Sequence, residues 1–168
     1  EAIASAGRIL KETTAQAVKL EGGAGQSETI AGLVAAGIPV MAHVGLRPQS
    51  VHQMGGYRVQ RDEEVLLHDA ESAQQAGAFA IVLECVPAPI AAKISRALRI
   101  PTIGIGAGAE CDGQVLVTND MLGLNGDSVP RFVKKYAAMK EMITDAASRY
   151  CEEIRAGTFP GEAQSYRK

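Results

Sequence analysis

Lys19 and Glu21 are separated by a single residue at the end of a short apolar run, residues 17–20. In an extended strand, residues two apart face the same side, so an ammonium and a carboxylate would project together. His43 follows a second run, residues 38–42, and Glu84 directly follows a third, residues 79–83. A fourth run, 102–105, leads into Gly104-Ile-Gly-Ala-Gly108, and a fifth, 115–117, ends at Thr118, Asn119 and Asp120. An ammonium can fix a carboxylate or an enolate. One carboxylate can hold a divalent cation, directly or through water. A second, largely desolvated, can remove a proton. A metal on a keto oxygen would stabilise the enolate that forms. The set describes deprotonation beside a ketone, then attack of the carbon on an electrophile.

Each residue also has a plainer reading. Lys19 and Glu21 could form an ion pair at a rim, and His43 could be a core histidine bonded to a carbonyl. Glu84 is harder to place passively. A carboxylate ending an apolar strand needs a cation, a hydrogen-bond network or a proton. A structural salt bridge would serve. The glycine-rich turn could cradle a phosphate or permit close packing, and close approach of backbone is preferred. Asp120 could cap a turn. Cys85 alternates away from Glu84, which directs it towards packed helices.

The elements that must position these residues are short. The five apolar runs are too brief for helices and are rich in aliphatic residues, as buried strands are. Helical patterns separate most of them. Residues 1–10 form a small-residue helical stretch. Ser27 is placed to cap a helix with Ile30, Leu33 and Val34 on one face, stopped by Gly37. Asp62 is placed to cap the next, with Val65, Leu66, Ala70 and Ala73 inward and Gly77 at its end. Pro87 or Pro89 opens a third, with Ile90, Ile94 and Leu98 inward. Further helices are expected over 129–136 and through Ile143, Ala146, Tyr150 and Ile154 to Gly157, before a polar, irregular tail. Strands alternating with helices make an α/β fold with a parallel sheet, either open or part of a barrel. A complete barrel takes about 250 residues and eight strands, and this chain of 168 residues supplies five. In parallel α/β folds the carboxyl ends of strands carry the chemistry, and that is where the polar residues fall.

Composition narrows the classes. At 46% hydrophobic and 21% charged, the chain can build one globular domain with a real core. Its net charge of -2 offers no broad attraction to nucleic acid or anionic membrane. Basic clusters such as Arg131, Lys134 and Lys135 read as a solvated helix face. No apolar run is long enough to span a bilayer. Cys85, Cys111 and Cys151 fit no zinc or redox spacing and read as reduced, structural thiols of a cytoplasmic protein.

The segments Val18-Lys-Leu-Glu-Gly-Gly23, His43-Val-Gly-Leu-Arg-Pro-Gln-Ser50, Gly55-Gly-Tyr-Arg-Val-Gln60, Leu83-Glu-Cys-Val-Pro87, Ile103-Gly-Ile-Gly-Ala-Gly108 and Cys111-Asp-Gly-Gln-Val-Leu-Val117 run in order through almost the whole chain. With Phe159-Pro-Gly-Glu162 and Ser165-Tyr166, they resemble the ketopantoate hydroxymethyltransferase family. The resemblance implies a (β/α)8 TIM barrel of the phosphoenolpyruvate/pyruvate type. Residues 1–168 would be a single domain covering about strands 4 to 8 and the C-terminal helices. It implies transfer of a hydroxymethyl group from 5,10-methylenetetrahydrofolate to 3-methyl-2-oxobutanoate, giving 2-dehydropantoate in pantothenate biosynthesis. By motif, Glu84 is the proton acceptor, Lys19 binds the keto acid, His43 lines the same pocket and Glu21 belongs to a Mg²⁺ site. Family members are cytoplasmic homodecamers. The family's first three strands, with two metal- and substrate-contacting aspartates, have no counterpart here, and the loop after Gln60 is short for the family. A barrel lacking three strands would expose apolar edges, so the missing part is expected in the functional protein. Two other readings share some of these features: another Mg²⁺-dependent carbon–carbon lyase or mutase of the same barrel type, and a non-catalytic partial-barrel subunit.

Overall fold

The computed structural model describes residues 1–50, 52, 56, 59–126 and 129–166. Most of the Gly55-Gly-Tyr-Arg segment lies outside the described residues, as do Arg167 and Lys168 at the end of the tail. The chain divides into two compact units, residues 1–115 and 116–168.

The first unit holds one parallel sheet of five strands: β1 (Val18–Glu21), β2 (Val40–Gly45), β3 (Ala80–Glu84), β4 (Thr102–Ile105) and β5 (Gly113–Gln114). Helices α1 (Ala2–Glu12), α2 (Ser27–Ala35), α3 (Glu63–Gln75) and α4 (Ala88–Ala97) precede or separate the strands. The order in space is the order in the chain, with β1 at one edge. A doubly wound sheet reverses its strand order at a switch point. Among the described residues this sheet never does, so it is an arc of the barrel type.

Register fixes what each face carries. Lys19 is level with Met41, Glu21 with His43, His43 with Val82, and Glu84 with Gly45 and Ile105. Residues level with one another share a face. The opposite face presents Val40, Ala42, Val44, Ile81 and Leu83. These join Ile30 and Leu33 of α2, Leu66, Ala70 and Ala73 of α3, and Ile90 and Ile94 of α4 in a single buried cluster. Each large aliphatic side chain there contributes about 1.5–3 kcal/mol through burial.

Several local expectations hold. Asp62 caps α3 by accepting from the Val65 amide, Pro87 precedes α4, and Gly37 and Gly77 take positive φ beyond the helices they end. Others need correction. Gln26, not Ser27, is the N-cap of α2, because the Ser27 hydroxyl donates to the Ala24 carbonyl and accepts no cap bond. Val34 and Val65 are exposed at the fringe of their helices' apolar faces. Cys85 is half-buried with φ 52° and stands outside the core cluster, whereas Cys111 packs against it.

The expected strand over 115–117 is displaced. Pairing ends at Gln114, extended only by the Val115 amide donating to Gly104, and Val115 and Val117 are exposed. Three apolar residues in a row carry no periodicity that could fix register. Thr118, Asn119 and Asp120 therefore belong to a short helix, α5 (Thr118–Met121), and do not end a strand.

In the second unit no helix forms over 129–136. Pro130 lacks an amide donor, and the Tyr136 amide donates to Met121 at the end of α5, a partner outside the segment. Arg131, Lys134 and Lys135 thus line no helix. Lys134 lies over the Tyr136 ring instead. The long final helix is present as α6 (Met139–Ala156), closed by Gly157 at φ 68°. Cys151 is exposed on it and so packs no core. Among the described residues no helix is long and apolar enough to cross a membrane.

Two contacts in the first unit give direct tests. Gly45 has φ +91°, and a Cβ there would stand 2.2 Å from the Glu84 carbonyl oxygen, which the Leu46 amide already engages. Gly45→Ala should lower stability by about 2–4 kcal/mol, seen as a fall in Tm of about 5–10 °C. An unchanged Tm would show that the strand ends do not require this approach. Asp112 accepts from the Thr102 backbone amide and then from its hydroxyl, and these bonds hold its carboxyl below the ordinary carboxylate range. Such a group stabilises the fold fully above the ordinary aspartate value, and the contribution is lost as pH falls through the depressed folded value. Asp112→Asn should flatten the acid limb of the Tm–pH profile. An identical acid limb in the variant would remove Asp112 from acid unfolding.

Candidate functional site

The charged face of the sheet exists because β1, β2 and β3 each carry a polar residue near the carboxyl end on the face opposite the core cluster. The strand ends are tied together by backbone. Gly22 donates to the His43 carbonyl at 2.8 Å, Leu46 to Glu84 at 2.8 Å and Cys85 to Ile105 at 2.9 Å.

Four of the expected residues meet there. Lys19 Nζ lies 3.1 Å from His43 Nδ1 and 3.9 Å from Glu21 Oε1. His43 Nδ1 is 3.8 Å from Glu21 Oε1, and His43 Nε2 is 3.1 Å from Glu84 Oε2. The Nε2–Glu84 contact is close but not in line, so among the described residues Nε2 has no hydrogen-bond partner. Side-chain exposure separates the roles open to each: 47% for Lys19, 18% for Glu84, 8% for Glu21 and 2% for His43. Solvent reaches the ammonium and one carboxylate, while the imidazole is sealed between them.

The segment after β2 supplies a contact that the sequence did not reveal. A short 3-10 turn, Pro48–Ser50, aims the Gln49 amide at Glu21 Oε2, 3.0 Å away. No residue type signals the direction of a backbone amide. Gly104 and Gly108 serve close packing, as expected. A Cβ on Gly108 would stand 2.5 Å from the Ala88 Cβ, and one on Gly104 would stand 3.0 Å from Cys111 Sγ.

One ammonium against two carboxylates leaves a surplus negative charge, which favours a cation. Glu21 fits as a magnesium ligand to the extent of one carboxylate, since Mg²⁺ uses one or two carboxylates and keeps several waters. Among the described residues no group of three or more His, Cys, Asp or Glu side chains stands ready as a complete metal site. Further oxygen ligands would have to come from water, substrate or residues beyond this chain.

Strand order without reversal, with an ammonium, two carboxylates and an imidazole gathered at the carboxyl edge, defines an arc of a (β/α) barrel bearing a polar site. A family model described as ketopantoate hydroxymethyltransferase matches residues 1–162. The chain belongs to that family. It is 55% identical over 159 residues to a 3-methyl-2-oxobutanoate hydroxymethyltransferase of Rhodopirellula baltica, covering 95% of this chain and 59% of that protein. It is 57% identical over 169 residues to the protein of the same name from Frankia alni, covering 99% of this chain and 56% of that one. The chain thus spans well under two thirds of these curated relatives. A solved structure, titled a putative lyase/mutase from Burkholderia cenocepacia J2315, aligns over 98% of this chain and 60% of its own, with 18% identity and a TM-score of 0.46.

Burial, and then the neighbouring Glu84 charge, push the Cys85 thiol above its ordinary value. Thiolate is the reactive form, so iodoacetamide at mildly alkaline pH should modify exposed Cys151 well before Cys85, read by peptide mass. Glu84→Gln should quicken Cys85 alone. Equal rates at the two cysteines would contradict the shielding.

Proposed function

We propose that the protein containing this chain transfers a hydroxymethyl group from 5,10-methylenetetrahydrofolate to 3-methyl-2-oxobutanoate, giving 2-dehydropantoate for pantothenate biosynthesis. The observation that carries this reading is the convergence of Lys19, Glu21, His43 and Glu84 on one face at the carboxyl edge of the sheet. In this reading the half-exposed Lys19 ammonium binds the carboxylate of the keto acid. Glu84 removes the proton from C3, and the resulting carbanion equivalent attacks the one-carbon unit, whose C–N bonds to the folate are broken with one water supplying the hydroxyl oxygen, so that tetrahydrofolate leaves. His43 lines the floor of the same pocket. Glu21, braced by the Gln49 amide, would hold Mg²⁺ with the waters and oxygens named above. When bound, the metal supplies an electrophile for the negative charge that develops on the ketone oxygen. Strands beyond this chain would complete a (β/α)8 barrel of the phosphoenolpyruvate/pyruvate type, of which residues 1–168 form part of one domain. The working protein is a cytoplasmic homo-oligomer, a decamer by family resemblance.

The half-reaction gives the test. With Mg²⁺, the full-length protein should exchange the C3 proton of 3-methyl-2-oxobutanoate into D₂O, followed by proton NMR. Glu84→Gln should slow exchange by at least about 100-fold, the scale of a positioned general base, with its circular dichroism unchanged. Lys19→Met should raise KM more than it lowers kcat, and chelation should stop exchange until Mg²⁺ is restored. Undiminished exchange in the Glu84 variant would take the base role away from that residue.

A further inference from the structure

We infer that His43 is a positioning residue: Lys19 fixes its ring as the Nε2–H tautomer, and the ring orients the Glu84 carboxylate without touching the substrate. The inference rests on the reaction proposed above and assigns His43 a different task from lining the pocket.

Chemistry sets the tautomer. Lys19 Nζ is 3.1 Å from His43 Nδ1. A lysine ammonium has three donors and no acceptor, so Nδ1 must present its lone pair. A neutral imidazole carries one proton, which then sits on Nε2. Glu84 Oε2 is the oxygen 3.1 Å from that nitrogen. Glu21 Oε1, at 3.8 Å from Nδ1, is beyond hydrogen-bond reach and cannot compete for the ring. Nδ1 is therefore committed to the ammonium, and Nε2–H stands 3.1 Å from the Glu84 carboxylate, close enough for a small turn of the ring to bring the two into line.

Burial excludes a direct role. His43 is 2% exposed although the polar face of the sheet is open to solvent at Lys19 and Glu84. A small molecule arriving from solvent meets the ammonium and the carboxylate, and the ring lies behind both. The ring also comes from the middle strand of the three, whose carbonyl at the same residue is bound by Gly22, so it is anchored at both backbone and side chain. With Oε2 facing the ring at 3.1 Å, Glu84 keeps its other oxygen for the C3 proton.

The full-length protein with ¹⁵N-labelled histidine tests this. The His43 resonances, assigned by their loss in His43→Gln, should show an unprotonated Nδ1 and a protonated Nε2, and Lys19→Met should release that preference. A protonated Nδ1 in the unmodified protein would overturn the inference. Exchange of the C3 proton gives the second readout. Glutamine places an amide N–H near the Nε2 position, so His43→Gln should keep exchange within about 10-fold, whereas His43→Asn, which reaches only the Nδ1 position, should lose at least about 100-fold. Equal loss in both variants would also overturn it. If the unmodified protein exchanges no proton at all, the proposed reaction fails while the nitrogen resonances still decide the tautomer.

Discussion

The two-residue alternation of parallel strands, held in register by the backbone ladder, governs this molecule. Because Glu21 is level with His43 and Glu84 with Gly45, every charged group at the sheet's end is forced onto the face opposite the core cluster. The aliphatic residues between them are forced onto the other. A slip of one residue in β1 or β3 would turn Glu21 or Glu84 toward the core side and bring that strand's aliphatic residues out of it. The same pairing therefore enforces both the core and the site.

The polar groups are costly to gather, since each loses water. Their arrangement offsets that cost in steps. Lys19 retains solvent on one side, Glu21 accepts a backbone amide, and His43 lies between unlike neighbours. The surplus negative charge that remains is what suits the site to a cation and to an anionic substrate drawn in beside an ammonium. Gly45 makes this packing possible, since any side chain there would collide with the carbonyl of Glu84.

Much of this was legible in the residues. Apolar runs gave β1 to β4 within a few residues, and capping chemistry gave Asp62 and Gly157 their places. The spacing of Lys19 and Glu21 gave their common face. What failed was what depends on partners remote in sequence. Val115 and Val117 look like a strand, but a strand exists only where a neighbour pairs with it. Residues 129–136 look helical, yet Pro130 interrupts them and the Tyr136 amide finds its carbonyl on Met121 of α5. The buried His43 matches the reading of a core histidine, but the Gln49 amide and the left-handed Cys85 leave no mark in composition or periodicity, because they follow from the path of the backbone just after β2 and β3. Family motifs carried information that periodicity could not, namely that the polar strand ends belong together.

Thr102 and Asp112 have a structural consequence of their own. The Asp112 carboxylate takes the Thr102 amide and hydroxyl, and the Asp112 amide donates back to that hydroxyl oxygen. This clasp ties the two ends of segment 102–112 together. The glycines between them can therefore follow a tight path without side chains of their own to fix it.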